Sequence, residues 1–350
     1  MSGDVMLRLD NVVKHFPIRR GALVRRQIGA VRAVDGVSLE VRRGETLGLV
    51  GETGCGKSTL ARCVTRLQPL TSGTVEFDGR DVSALSRRAL RPLRREVQMI
   101  FQDPYGALNP RRRVGSIIGD PFAIHGIADG QERKRLVQDL MALVGLNPEH
   151  YNRFPADFSG GQRQRIGVAR ALALRPALVV CDEPVSALDV SIQAQILNLL
   201  SDLQQSLGLT YVFIAHDLSV VEHVSDRVAV MYLGRIVELA DAGELYARPR
   251  HPYSAALLSA ASIADLDMAD RRERIVLTGD VPSPVAPPAG CHFHPRCPKA
   301  QAICVREAPK LVAREGDRST HRTACHFPVV PGDDLTGGPA SVGGAVDGGD

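Results

Sequence analysis

Gly51-Glu-Thr-Gly-Cys-Gly-Lys57-Ser58-Thr59 is the stretch that decides the fold of this 350-residue chain. It fits the pattern G-x-x-x-x-G-K-[ST], in which glycines let backbone N–H groups turn toward anionic oxygens at a helix N-terminus. The apolar residues 46–50 predict a buried strand before it, and residues 59–67 predict a helix after it. Because the motif requires this strand–loop–helix order, the sequence predicts a phosphate-binding loop.

Two side chains of the loop have chemistry of their own. Lys57 supplies a positive charge for the β- and γ-phosphates of a nucleotide, and the Ser58 hydroxyl is placed to ligate Mg²⁺. The alternative interpretation is an ordinary glycine-rich turn. The predicted phosphate-binding residues are Gly51, Glu52, Thr53, Gly54, Cys55, Gly56, Lys57, Ser58 and Thr59.

Composition limits the class of protein. The length allows one large or two modest domains, and the net charge of +4 is too small to demand nucleic acid as a partner. Although 44% of the residues are hydrophobic, no uncharged apolar run approaches the length of about 18 residues that crosses a bilayer, and residues 1–30 lack a signal peptide's apolar segment. We therefore expect a soluble, cytoplasmic protein whose seven cysteines are reduced thiols, used for metal binding or reactivity.

The middle of the chain contains a second candidate anion site. A predicted strand, residues 97–101, ends at Gln102, whose amide can reach a metal-bound water or a γ-phosphate. An inserted helical subdomain follows at about residues 103–165, with helical periodicity in residues 131–144. It closes with Phe158-Ser159-Gly160-Gly161-Gln162, where a serine and two glycines present free N–H groups at the start of a helix.

An apolar strand is predicted from Leu178, and it ends in the adjacent carboxylates Asp182 and Glu183. Because side chains alternate along a strand, the two acids cannot do the same job. Asp182 is suited to hold Mg²⁺ through water, and Glu183 is suited to orient and deprotonate an attacking water. The alternative is an exposed turn, although a charged pair at the end of a buried strand is unfavourable without a cation.

Three further positions complete the candidate site. The next helix is predicted to begin at Ser186-Ala-Leu-Asp189, with the serine as its cap. His216 follows the predicted strand 210–215, at the end of a parallel sheet where ligands collect, although a lone histidine is usually structural. Phe16 is either a core side chain or a flat surface on which a purine ring stacks.

Taken together, these motifs resemble the nucleotide-binding subunits of ATP-binding-cassette transporters over roughly residues 5–250. The resemblance implies an α/β fold, namely a P-loop NTPase core with a mixed sheet and flanking helices, an antiparallel β subdomain and the inserted helical subdomain. It also implies that ATP lies between two subunits, with the Ser159–Gln162 signature of one closing on the γ-phosphate held by Lys57 of the other. Phe158, Thr53 and Phe16 stand where leucine, serine and tyrosine are usual, and only Phe16 loses a polar group, the hydroxyl.

The same resemblance assigns roles to residues of this sequence. It implies catalysis by Glu183, His216 and Gln102, and a Mg²⁺ site formed by Ser58, Gln102 and Asp182. Besides residues 51–59, the implied ATP-binding residues are Phe16, Gln102, Ser159, Gly160, Gly161, Gln162, Asp182 and Asp189.

Three stretches of the C-terminal part resemble the extension of dipeptide and oligopeptide importer ATPases. They are Arg250-His-Pro-Tyr-Ser-Ala-Ala-Leu-Leu258, Gly279-Asp-Val-Pro-Ser-Pro and Gly290-Cys291-His-Phe-His-Pro-Arg-Cys297-Pro. We therefore divide the chain into an ATPase domain at 1–250, an extension at 251–330 and a tail at 331–350. The tail is rich in glycine, aspartate and small residues without periodicity, which predicts disorder.

Four cysteines of the extension, Cys291, Cys297, Cys304 and Cys325, have the right number for an iron–sulfur or zinc site. Their spacing lacks the C-x₂-C of common zinc ribbons, and the resemblance to the importer family favours a [4Fe–4S] cluster over Zn²⁺. A set of reduced thiols without metal is the other alternative. Because these cysteines lie outside the predicted ATPase core, a cluster here is expected to staple the extension and not to perform redox chemistry.

The resemblance implies a subunit that couples ATP binding and hydrolysis to uptake of dipeptides or oligopeptides. The implied partners are a second ATPase subunit in a heterodimer, two permease chains and an extracytoplasmic peptide-binding protein, at the cytoplasmic face of the membrane. Import of nickel or another small solute, an exporter cassette and a non-transport cassette ATPase are the alternatives. The last kind usually carries two cassettes in one chain, and this sequence has no basic aromatic stripe for nucleic acid.

Overall fold

The structure is a computed structural model that describes residues 4–20, 26–261 and 275–337. Within these ranges, no helix combines the length and the apolar character needed to cross a membrane. The helices are α1 (Lys57–Val64), α2 (Leu90–Glu96), α3 (Pro104–Ala107), α4 (Val114–His125), α5 (Gly130–Leu143), α6 (Gly160–Leu172), α7 (Val190–Leu207), α8 (Leu218–Val224), α9 (Ala242–Ala247), α10 (Pro252–Ala261) and α11 (Ala302–Arg306).

The strands form a four-stranded sheet of order β2-β1-β4-β5 and an eight-stranded sheet of order β11-β12-β10-β9-β3-β8-β7-β6. Their bounds are β1 (Val5–Arg20), β2 (Arg26–Arg42), β3 (Thr46–Val50), β4 (Ser72–Phe77), β5 (Arg80–Asp81), β6 (Val97–Ile100), β7 (Leu178–Asp182), β8 (Thr210–Ile214), β9 (Arg227–Tyr232), β10 (Arg235–Asp241), β11 (Val312–Ala313) and β12 (Arg322–Thr323).

The central part of the larger sheet is parallel, because β3 pairs with β8 and β9, and β7 pairs with β6 and β8, all in the same direction. Strand β7 is apolar up to its last residue, Asp182, because both of its faces are buried. Leu178 and Val180 pack into one hydrophobic core, whereas Val179 and Cys181 pack into the other. A strand that is buried on both faces needs apolar residues at successive positions, so polar side chains are left for the strand ends.

The smaller sheet is antiparallel, as predicted, and β1 pairs with β2 and with β4. Its inward side chains share one core with helix α1, which contributes Leu60, Ala61 and Val64. This packing fixes the helix that follows the phosphate loop. The helix begins at Lys57, two residues before its predicted start, and ends at Val64.

The predicted helical insertion is present as helices α3 to α6, of which α4, α5 and α6 contact one another. Val114, Ile118, Met141 and Ile166 are fully buried where these helices meet the rest of the core. The insertion thus carries the Ser159–Gln162 signature at the start of α6 on a packed scaffold.

The C-terminal extension continues the central sheet and its core. Strand β12 pairs antiparallel with β10, and β11 pairs with β12. Tyr253, Phe293 and Cys297 belong to the same buried cluster as Val50 of the strand before the phosphate loop. The prediction that the cysteines lie outside the ATPase core is therefore wrong for Cys297, because the extension and the ATPase domain share one hydrophobic interior.

The described structure continues past Pro331, where the sequence predicts the tail to begin. The Lys299 ammonium contacts the Asp333 carboxylate, and the Leu335 side chain is buried. The remainder of the predicted tail, residues 338–350, lies outside the described residues.

A buried carboxylate joins the extension to the sheet. Glu238 on β10 is fully buried, and it accepts hydrogen bonds from the backbone N–H groups of Arg250 and His251 at 2.6 and 2.9 Å. Its Oε1 also lies 2.7 Å from Nε2 of the buried His321, one residue before β12. One side chain therefore holds both the approach to α10 and the strand that the extension adds.

We predict that Glu238→Ala lowers the free energy of unfolding by roughly 3 kcal/mol, because it leaves His321, the buried N–H of His251 and the partly buried N–H of Arg250 without an acceptor. Urea unfolding of the full chain measures this. The matched control is Glu76→Ala, since Glu76 is 39% exposed and its pair with Arg8 is 3.6 Å long. The control should change stability by less than about 0.5 kcal/mol. Equal effects of the two substitutions would contradict the assignment of Glu238 as a structural link.

Candidate functional site

The phosphate loop runs from the end of β3 to the start of α1, and two of its glycines are required by close backbone approach. Gly51 has φ +153° and Gly56 has φ +111°, conformations that side chains rarely adopt. A Cβ atom at Gly51 would lie 2.1 Å from the Met231 carbonyl oxygen, and one at Gly56 would lie 1.9 Å from that of Ala33. The loop is therefore pressed between β9 and β2, and no other residue type fits at either position.

Lys57 lies inside this loop with only 4% of its surface exposed. Its ammonium donates to the carbonyl oxygens of Gly51 at 2.6 Å and Glu52 at 3.1 Å. The Cys55 sulfur lies 3.9 Å from the same nitrogen. Two carbonyl oxygens thus hold the cation at the loop, where it faces the space that phosphate groups would occupy.

Ser58 and Asp182 meet behind the loop, since the Ser58 hydroxyl donates to Asp182 Oδ1 at 2.8 Å. Asp182 is 3% exposed, and this burial raises the pKa of its carboxyl. A hydroxyl and a buried carboxylate are oxygen donors of the kind that Mg²⁺ prefers. The residues present therefore fit the magnesium site that the sequence predicts.

Glu183 follows β7 in a left-handed backbone conformation, with φ +47°. Such a conformation is unfavourable by about 1–3 kcal/mol in a residue other than glycine, and it is found mostly at functional sites. The carboxylate accepts a hydrogen bond from Gln102 Nε2 at 2.7 Å and lies 3.4 Å from His216 Nδ1. The structure thus brings the three predicted catalytic residues together, and the Glu183 carboxylate has partners other than the Ser58 hydroxyl that contacts Asp182.

A cleft of about 810 Å³ opens over these groups. Phe16 lies at its wall, half-buried, with the Lys14 ammonium 4.8 Å from the ring centre. The alternative interpretation of Phe16 as a core residue is therefore wrong. The cleft is lined by Phe16, Val31, Ala33, Thr53, Gly54, Gly56, Lys57, Ser58, Thr59, Gln102, Asp103, Glu183, Ser186, Ala187, His216 and Pro284.

The Ser159–Gln162 signature lies elsewhere in the chain. Ser159 and Gln162 form a reciprocal cap, because the Gln162 N–H donates to Ser159 Oγ at 3.3 Å and the Ser159 N–H donates to Gln162 Oε1 at 3.0 Å. Among the described residues that line the cleft, none belongs to this signature. One chain by itself does not bring the signature to Lys57.

The helix after Glu183 corrects the prediction of its cap. Helix α7 begins at Val190, and Asp189 is its cap, with Oδ1 accepting from the Ile192 N–H at 2.9 Å. The predicted cap, Ser186, instead donates to the Glu183 carbonyl oxygen at 3.1 Å, because residues 184–187 form turns before the helix. Asp189 does not line the cleft within this chain, although the sequence predicts that it binds nucleotide.

Sequence reasoning missed the part of the extension that reaches the nucleotide cleft. Pro284 lines it, and the Pro284 carbonyl accepts a hydrogen bond from the Arg32 N–H at 2.9 Å. The Glu52 side chain points out of the cleft toward Arg296, to which it is hydrogen-bonded. The partners in these contacts are separated by more than 200 residues, so no local pattern predicts them. The only signal in the sequence is the presence of the prolines and the arginine within the quoted motifs.

All seven cysteines are free thiols. Cys297, Cys304 and Cys325 are buried, and burial raises the pKa of Cys297 and of Cys325 to about 12, with a further increase from the neighbouring thiols. The Cys291 N–H donates to the Cys304 carbonyl oxygen at 2.8 Å. The four predicted ligands therefore lie near one another. Across residues 4–20, 26–261 and 275–337, however, no three His, Cys, Asp or Glu side chains are arranged to hold a metal ion.

Comparison with known families and solved structures agrees with this geometry. The family described as ABC transporter matches residues 34–186, and the oligopeptide/dipeptide transporter C-terminal region matches residues 237–304. A solved dimeric structure of the ATP-binding cassette MJ0796, in a post-hydrolysis state bound to ADP and Pi, is similar to this chain with a TM-score of 0.60 and 28% identity. That similarity covers 68% of this chain and 99% of that one.

Two curated relatives are similar over nearly the whole length. The oligopeptide transport ATP-binding protein AppF of Bacillus subtilis (strain 168) is 53% identical over 325 residues, which is 93% of this chain and 98% of the relative. The dipeptide transport ATP-binding protein DppF of Escherichia coli (strain K12) is 49% identical over 306 residues, covering 87% and 90%. The chain therefore belongs to the ATP-binding subunits of ABC transporters, in the group that carries the oligopeptide/dipeptide transporter C-terminal region.

Proposed function

We propose that this chain hydrolyses ATP to drive the import of dipeptides or oligopeptides through a membrane permease. The observation that supports it best is the convergence of Lys57, Glu183 and Gln102 on one cleft, in a chain that also carries the C-terminal region of peptide transporters. Lys57 suits a triphosphate, and a carboxylate beside it suits an attacking water.

The phosphate groups of ATP are bound by the loop and by Lys57. On binding, the Lys57 ammonium exchanges the carbonyl oxygens of Gly51 and Glu52 for phosphate oxygens, which carry more charge and form stronger hydrogen bonds. Ser58, Asp182 and Gln102 would hold Mg²⁺, which would neutralise charge on the phosphates. Phe16 offers its ring face to the adenine base of ATP, and it lacks the hydroxyl that a tyrosine would add.

Glu183 takes the proton of the attacking water. Gln102 and His216 both contact its carboxylate, so they orient the group that accepts the proton. With its Nε2 atom donating to Glu183, Gln102 keeps its carbonyl oxygen for the metal ion. The three side chains thus form one contacting set, in which Glu183 would act on the water and Gln102 would reach the metal ion.

A second ATPase subunit completes the site. The signature offers N–H groups at the start of α6, and Asp189 caps α7 nearby in sequence, but neither lines the cleft of their own chain. We therefore propose that Ser159, Gly160, Gly161, Gln162 and Asp189 face the nucleotide held by a partner ATPase subunit. The similar MJ0796 cassette is described as dimeric, which supports this arrangement.

The partner is proposed to be a paralogous ATPase, beneath two permease chains that an extracytoplasmic peptide-binding protein supplies. In that assembly the chain is a peripheral protein at the cytoplasmic face of the membrane. Support comes from the relatives, which are described as oligopeptide and dipeptide transport ATP-binding proteins.

We further propose that Cys291, Cys297, Cys304 and Cys325 hold a [4Fe–4S] cluster, with Zn²⁺ as the alternative. Support comes from their proximity, the burial of Cys297, Cys304 and Cys325, and the absence of disulfides among them. Because the thiols are not arranged as ligands of one metal ion, they would have to draw together as the group binds. Their free energy of metal binding would then stabilise the extension.

We expect Glu183→Gln to bind ATP normally and to lose turnover by roughly two to four orders of magnitude, because the amide cannot accept the proton. ATPase activity of the assembled complex measures turnover, with the partner subunit's own site inactivated by the same kind of substitution. Near-normal hydrolysis would contradict the role assigned to Glu183.

We also expect mutations to distinguish the two halves of the composite site, which are the phosphate loop of one subunit and the Ser159–Gln162 signature of the other. Lys57→Ala should weaken ATP binding to the isolated chain by at least about tenfold, because it removes the phosphate-binding charge. Gly160→Asp should leave that binding unchanged, because an acidic residue is favourable in the first turn of a helix and a Cβ atom there lies 3.4 Å from Leu188, an ordinary contact.

In the assembled complex, Gly160→Asp should reduce hydrolysis at the partner's nucleotide by about a hundredfold, since its carboxylate would face the γ-phosphate. Gly161 is unsuitable for this test, because a Cβ atom there would lie 2.5 Å from Ile192 of the same chain. Weaker ATP binding by isolated Gly160→Asp protein would contradict the composite site.

The cysteine site predicts a brown protein after anaerobic purification, with about four irons and four sulfides per chain. Cys304→Ser should remove the colour and lower the thermal stability of the extension. Cys63→Ser is the matched control, because Cys63 is also buried, at 0% exposed against 7% for Cys304, but lies on α1. Stoichiometric zinc without sulfide would replace the cluster with a zinc site, and protein free of metal would contradict both.

A further inference from the structure

The C-terminal extension touches the phosphate loop through an arginine. Arg296 donates from Nη1 to Glu52 Oε2 at 2.9 Å and from Nη2 to Glu52 Oε1 at 3.1 Å. Arg296 is only 7% exposed and Glu52 is 26% exposed. A bidentate, largely buried pair fixes both the position and the plane of the carboxylate.

A second contact holds the backbone of the same residue. The Glu52 N–H donates to the Tyr253 hydroxyl at 2.8 Å, and Tyr253 is fully buried in the core that the extension shares. The Glu52 carbonyl oxygen accepts from Lys57. The side chain, N–H and carbonyl of one loop residue are therefore all engaged, two of them by the extension.

The charge of Glu52 explains why these contacts matter. A carboxylate in a phosphate-binding loop opposes the binding of a polyanion, unless it is turned away and neutralised. Arg296 does both, because it draws the Glu52 side chain out of the cleft and pairs with its charge. Loss of Arg296 would leave an unpaired negative charge beside the phosphates.

Arg296 itself is held by the cysteine-containing segment. It ends a short 3₁₀ turn, His294–Arg296, and its N–H donates to the Phe293 carbonyl oxygen at 3.0 Å. Phe293 is buried against Tyr232, with ring centres 5.3 Å apart. The turn lies between Cys291 and Cys297. The conformation of this segment therefore determines where Arg296 lies.

We propose that the C-terminal extension is a functional part of the nucleotide site, in which Arg296 is a positioning residue that neutralises Glu52 and fixes the phosphate loop. The inference rests on the proposed ATPase function and deepens it. The extension thereby sets the affinity of the cleft for the phosphate groups of ATP. A change in the conformation of residues 291–297 is transmitted to Lys57 through Glu52.

The test is ATP binding by the full chain in the presence of Mg²⁺, together with KM and kcat in the assembled complex. Arg296→Gln should weaken ATP binding by about tenfold and raise KM, with a much smaller change in kcat. The double variant Glu52→Gln with Arg296→Gln should recover binding to within about threefold of wild type, because it removes the unpaired charge.

Arg250→Gln is the matched control. Arg250 is another partly buried arginine of this region, and its Nε donates to Asp317 at 3.1 Å, away from the loop. Its substitution should loosen the extension only around Asp317 and Val329 and leave ATP affinity within about twofold of wild type. If Arg296→Gln fails to fold, Arg296→Lys replaces it, since lysine keeps the charge but not the bidentate contact, and it should weaken binding by about threefold.

Several results would overturn the inference. They are wild-type ATP affinity in the Arg296 variant, an equal loss in the Arg250 control, and a double variant as weak as Arg296→Gln alone, which would indicate general damage to the extension. Failure of the proposed function is distinguishable, because the wild-type chain itself would then bind no ATP.

Discussion

The burial of the parallel strands on both faces is the constraint on which the rest of the structure depends. Strands β3, β7 and β8 have no solvent-facing side, so each can place a polar group only where it ends. The phosphate loop, the Asp182-Glu183 pair and His216 follow these three ends. One edge of the sheet thus collects a cation, two carboxylates and an imidazole, which apolar strands hold in fixed relative positions.

The phosphate loop is constrained from a second direction as well. Gly51 and Gly56 allow the loop to approach β9 and β2, whereas Arg296 and Tyr253 hold Glu52 from the extension. A loop that is fixed on both sides loses little conformational entropy when phosphate binds. The extension and the ATPase core share this task because they share one hydrophobic interior.

Features that depend on neighbouring residues could be predicted from the sequence. Strand β3 and the carboxylate pair were located correctly, since apolar runs and motifs are local, and the family resemblance supplied the sheet around them. The cap of α7 was misplaced because Ser186 and Asp189 are both good capping residues, and only the turn at Glu183 decides between them. The contact between Glu52 and Arg296 was not predictable, because it joins residues 244 positions apart through a fold that no local pattern specifies.

The pairing of β12 with β10 has a consequence for how the chain can be divided. Without β11 and β12, the outer side of β10 would expose unpaired N–H and C=O groups along a strand that contains Ile236, Val237, Leu239 and Ala240. Such an edge is a template for pairing with another chain, and so for aggregation. The extension therefore also protects the sheet from self-association, and a fragment that ends near residue 250 would lose this protection while keeping every residue of the phosphate loop.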